Sequence, residues 1–156
     1  MTFQIHGLPM APFAPLFELD DTALASMGAT RVMATSNPGF PCRVSLKDAD
    51  VGEELILLNH RHLPSNSPYA ATHAIYVRKD AREARPAPSE VPEVLSSRLL
   101  SLRAFDAADM MQRAEVVEGD RLGDRLQDIL ADAAIAYVHI HNAAPGCFAA
   151  SATRAE

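Results

Sequence analysis

The chain has 156 residues, 48% of them apolar and 22% charged, with 20 acidic against 14 basic side chains and a formal charge of −6. This length is most simply one domain, spanning 1–156, and folding buries roughly 68–70% of the unfolded surface without help from a metal or disulfide. The acidic balance argues against nucleic acid as a partner, because phosphate binding needs a basic stripe. No apolar run approaches the ~18–20 residues that cross a bilayer, so no membrane partner is expected either.

The opening MTFQIHGLPMAPF lacks the basic and long apolar regions of a secretory leader, which points to the cytoplasm. In that reducing compartment Cys42 and Cys147 are expected as free thiols. Residues 3–8 read as a first strand, followed by a connection holding Pro9, Pro12 and Pro15. A short helix opens at Asp20-Asp21 with an Asp cap, Leu24 and Met27 on its buried side, and Gly28 closing it. Arg31–Ala34 reads as a brief strand.

Pro38-Gly39 signals a turn, and Pro41 interrupts ladder bonding, so pairing is expected to start at Cys42. Strand alternation then sends Val44 and Leu46 inward and puts Arg43 and Ser45 on the opposite face. Residues 47–53 form a turn or single helical turn. Glu54–Asn59 is apolar enough to be covered on both faces. His60-Arg61-His62 follows, then a loop, then a strand over Thr72–Arg78 in which His73 shares parity with Ile75 and Val77. Residues 80–90 show no apolar period and read as a mobile, solvated loop, and Pro92 suits the first turn of a helix over Pro92–Arg98.

Leu99–Phe105 reads as a strand with Leu100, Leu102 and Ala104 inward and Ser101 and Arg103 outward. Met110–Val117 adds another. The strongest helical period is Asp120–Leu130, where Leu122, Leu126, Ile129 and Leu130 form one stripe. A strand over 136–141 follows, expected inside the sheet, with Val138 and Ile140 in the core and Tyr137, His139 and His141 on the other side. Its turn, Asn142–Gly146, delivers Cys147. These elements, without regular βα alternation, predict an α+β fold: a single domain, mostly antiparallel β-sheet with two or three short helices.

PGFPCRVSL at 38–46, GEELILLN at 52–59, SPY at 67–69 with HAIYVR at 73–78, SLRAFD at 101–106 and YVHIHNAAPGCFA at 137–149 together resemble the bacterial domain of unknown function 1203 family. The resemblance covers nearly the whole chain. It implies a small single-domain bacterial protein and carries no established activity.

The outward face brings together residue types that bind anions and exchange protons near neutral pH, unlike the Lys, Glu and Thr of ordinary solvated strands. His139, His141 and Cys147 are the candidate catalytic groups; Arg43, Ser45, Arg103 and Asn142 are the candidate substrate-binding groups. An Arg inside an apolar strand must be paired, hydrated or ligand-bound, an internal Asp or Glu being the commoner partner, and its planar fork suits a carboxylate or phosphate ligand. His60-x-His62 and His139-x-His141 could each contribute to a metal site, but no readable motif completes a ligand set, so metal is not favoured and the cofactor is unknown. The expected function is small-molecule binding, extending to an enzyme acting on an anionic carboxylate or phosphate substrate. The alternative is a non-enzymatic binding or interaction domain.

Overall fold

The computed structural model describes residues 1–156 and contains two five-stranded sheets where the sequence pattern suggested one. In the first, β1 (Phe3–His6) pairs with β10 (Phe148–Arg154), then β9 (Tyr137–Asn142), β7 (Leu99–Phe105) and β8 (Met111–Glu118). In the second, β2 (Thr30–Met33) lies beside β5 (Glu54–Leu63), β6 (Ala71–Arg78), β3 (Pro41–Cys42) and β4 (Lys47–Asp48). All pairings are antiparallel except β3 with β6. With three short helices this is an α+β fold.

Strand parity organises the first sheet. Leu100, Leu102, Ala104, Val138 and Ile140 point to one face and are essentially inaccessible. There they meet Leu122, Leu126, Ile129 and Leu130 of α3 (Leu122–Leu130), whose spacing puts all four on one stripe. Each such side chain stabilises the fold by roughly 1.5–3 kcal/mol on burial. The helix starts later than its apolar period implies, because Gly119–Arg121 forms a 3₁₀ turn that leads into it. Interior position for β9 follows from its pairing with β10 on one side and β7 on the other.

The first helix, α1 (Asp21–Ser26), is capped by the Asp20 carboxylate, which accepts from the Ala23 N–H at 2.8 Å. Leu24 is buried, but Met27 is 58% exposed, because it occupies the C-cap beyond the last helical turn. The second, α2 (Glu93–Ser96), is shorter than expected and uses Pro92 as its N-cap. β5 continues four residues past the expected strand, taking His60 into the ladder opposite His73 and leaving His62 at a bulge between Arg61 and Leu63.

The largest departure is at 42–46. Pro41 is itself in register with Asp48, and beyond Cys42 the chain makes a tight turn with the Leu46 N–H donating to the Cys42 carbonyl and Leu46 at a φ of 52°. Arg43, Val44, Ser45 and Leu46 are consequently all buried, with no polar outer face. Backbone bonds from Leu8 to Arg43, from Arg43 to Tyr76 and from Ala84 to Val44 fasten the turn to the surrounding chain. Residues 80–90 do lack regular structure, but Ala81 is buried and the Ser89 N–H donates to the Phe3 carbonyl.

Two glycines at the start of α3 test the packing of that helix. A Cβ on Gly119 would stand 2.2 Å from the Leu95 carbonyl oxygen and 2.6 Å from that of Arg98, both backbone atoms that cannot yield. On Gly123, within α3, the closest contacts are an ordinary 3.7 Å. Gly119→Ala should cost at least about 1–3 kcal/mol of overpacking, whereas Gly123→Ala should be neutral or stabilise by roughly 0.5–1 kcal/mol through helix propensity. Denaturant midpoints of the two variants compare them directly.

Candidate functional site

The face of β9 opposite its apolar residues meets the end of the β5–β6 hairpin. Register places His139 beside Arg103 and His141 beside Ser101 on β7. From the second sheet come His62, next to a bulge in β5, and His73, on the same side of β6 as Ile75 and Val77. His62 Nε2 lies 2.6 Å from His73 Nδ1, and His62 Nδ1 lies 3.3 Å from His139 Nδ1. His141 is fully buried: its Nδ1–H donates to the Gly146 carbonyl at 3.0 Å, and its Nε2 is buried with no partner.

Phe148 lies flat against His62 at 5.0 Å, and Phe105 meets His139 edge-on. In this dry surround burial pushes His62 and His141 down to about 3 and His139 down to about 4. The neighbouring imidazoles push His62 further down, and Arg103 acts the same way on His139, His141 and His73. All four rings are therefore neutral near pH 7. Tyr137 completes the row: its hydroxyl donates to Asp109 at 2.6 Å, and burial with that bond holds the phenol above its usual range.

Arg103 is the cation of this group. Burial lowers its pKa and no carboxylate raises it, unlike Arg31, Arg78 and Arg125, each held up by a bonded acid. Arg43 belongs to a second group. It is 3% exposed; its Nε–H donates to the Phe148 carbonyl at 2.7 Å, its Nη1–H to the Pro41 carbonyl, and its Nη2–H to the Cys147 sulfur at 3.0 Å. The Asn142 amide reaches the same sulfur at 3.6 Å, while its Oδ1 is buried without a donor. Desolvation lowers the Arg43 pKa, and the negative charge available at Cys147 opposes that shift.

The sequence-derived candidates thus divide. His139, His141 and Arg103 share the histidine junction; Arg43, Asn142 and Cys147 converge on the sulfur. Ser45 joins neither, since the turn at 43–46 directs it to a separate depression near Asp48 and Arg78. A cleft of about 570 Å³ is walled by Arg43, Asn142 and Cys147 together with Leu57 and Tyr76, and it reaches the histidine junction at His73. His62 and His73 are the members that candidate selection on β9 and β7 left out. The parity of His73 with Ile75 and Val77 already sent it inward, and the pairing of 54–63 with 71–78 would have placed His62 nearby.

A family model described as Protein of unknown function (DUF1203) matches residues 39–154. The chain belongs to that family. The DUF1203 span includes every residue of both groups and excludes β1, α1 and β2. No curated protein and no solved structure matches the chain.

The two thiols of this DUF1203 protein differ in access. Cys42 is 1% exposed, whereas Cys147 is half-buried at the cleft, and neither is bridged. A chromogenic disulfide reagent should react with one thiol in the native protein and two after denaturation, without added reductant. Cys147→Ser should remove the native reaction, and retention of it there would contradict the packing.

Proposed function

We propose that this protein binds a small organic anion, carboxylate or phosphate, at the junction of its two sheets. One observation carries the reading: Arg43 is buried and Arg103 half-buried, and neither has a carboxylate partner, in a chain with 20 acidic residues. Retaining an unpaired guanidinium near apolar strands is costly unless a ligand supplies the counter-charge. Arg43 is already held by two carbonyls and a sulfur, so it forms a fixed positive floor to the cleft. Arg103 has its donors free, and makes the better anchor for an incoming oxyanion.

The cleft gives the remainder of the ligand a place. Leu57, Leu99, Ala143, Ala144 and Pro145 present apolar surface there, beside the polar side chains of Arg43, His73, Arg98 and Asn142. That combination, an apolar recess with few directional donors, is the usual form of a small-molecule site. On the same reading the protein works in the cytoplasm, where its two free thiols stay reduced.

The test is a thermal-shift and calorimetric series with inorganic phosphate and short mono- and dicarboxylates. A ligand at about 100 times its Kd stabilises the native state by roughly 2.7 kcal/mol. Arg103→Ala should weaken binding by about tenfold or more, the loss of one charge-assisted contact, and should leave the unliganded melting temperature nearly unchanged. Arg43→Met should instead destabilise the free protein by about 1–3 kcal/mol, because it strands the buried Phe148 and Pro41 carbonyls. A response to none of these anions in the wild-type protein would remove the proposal.

A further inference from the structure

We propose that His62, His73 and His141 form a three-histidine site for a divalent transition-metal ion, zinc being its simplest occupant, with a fourth position open to the cleft. This goes beyond anion binding and does not require it. Each ring offers one nitrogen, and the three lie within 4.8 Å of one another. Nitrogens sharing a tetrahedral zinc at 2.0–2.1 Å stand roughly 3.3 Å apart. The 2.6 Å between His62 and His73 must open slightly and the longest separation must close, movements that imidazole rotation can provide.

The hydrogen bonds around two of the three rings already favour particular ligating atoms. The Gly146 carbonyl holds the proton of His141 on Nδ1, which turns a bare and unpartnered Nε2 toward a site where nothing in the protein can use it. Leaving such an atom dry and unbonded is costly in an apo protein. His62 has the same arrangement open to it: in the tautomer whose Nδ1–H donates to His139 Nδ1, its Nε2 lone pair is the atom facing His73. Ligating histidines characteristically give their other N–H to a carbonyl or side-chain acceptor, which fixes tautomer and ring orientation. Gly146 and His139 fill that role here, and His139 is a positioning residue, not a ligand. His73 Nδ1 joins the set once its proton resides on Nε2.

Three neutral nitrogens leave the ion with its full positive charge and an unfilled position. No fourth protein ligand competes, because the Cys147 sulfur is engaged by Arg43 and Asn142. His73 borders the cleft, so the open position faces the space where a ligand enters. Three protein ligands with a free fourth place characterise metal sites that act on bound molecules, not those that only brace a fold. An anion held by Arg103 would complete the coordination.

The experiment uses the full chain, stripped with a chelator and titrated with Zn²⁺ and with Co²⁺ in buffer free of phosphate and carboxylates. One ion per chain should bind, with a Co²⁺ visible spectrum of tetrahedral type and a raised melting temperature. His73→Ala, at a half-buried position that leaves the core intact, should weaken binding by at least roughly 100-fold, and His139→Phe should weaken it about tenfold as an outer-shell change. His60→Ala, on the same strand as His62 but packed against Phe13, should bind like wild type. Absence of saturable one-to-one binding in the stripped wild-type protein overturns the site, as does binding that survives both His73→Ala and His62→Ala. Metal binding without any anion response would leave the site standing and defeat only the anion reading.

Discussion

β9 is covered on both faces, and the rest of the molecule follows from that constraint. Strand alternation gives Val138 and Ile140 to the core under α3. The same alternation drives His139 and His141 into the other interface with equal force, although imidazoles are poor core residues. Out of reach of water, they can be satisfied only by groups from the opposing sheet, the Asn142–Gly146 turn or a bound species. The two sheets therefore meet here through a polar junction of histidines sealed by Phe105 and Phe148, whereas elsewhere each sheet has its own apolar packing.

Local periodicity made much of the first sheet legible. The stripe Leu122, Leu126, Ile129, Leu130 and the alternation through 99–105 and 137–142 need only neighbours a few residues away to be read. The turn at 43–46 was not legible, because its geometry depends on bonds to Leu8, Tyr76 and Ala84, none of them close in sequence. Parity predicted an Arg43–Ser45 face there, and long-range backbone bonding replaced it with a fully buried loop.

The candidate site divides in the same manner. His139, His141 and Arg103 lie on adjacent strands, so one correct alternation on each makes them neighbours. The sulfur group needed knowledge that residue 43 approaches residues 147 and 148, a contact spanning more than 100 positions. His62 and His73 required the packing of one sheet on the other, which no single-strand pattern contains.

The edge pairing of β1 has a consequence for folding. Phe3 lies opposite Arg154, and the Ala155 N–H donates to the Thr2 carbonyl, so β1 has its only partner in β10, which is synthesised much later. The second sheet, built from residues 30–78, can assemble by comparatively local pairings during synthesis. The first must wait, its β1 and β7–β8 hairpin unjoined until residues 137–154 arrive between them. Non-local pairing of this kind slows folding. The histidine junction is completed in that insertion, so a nascent chain carries a formed β5–β6 hairpin with His62 and His73 facing an empty seat.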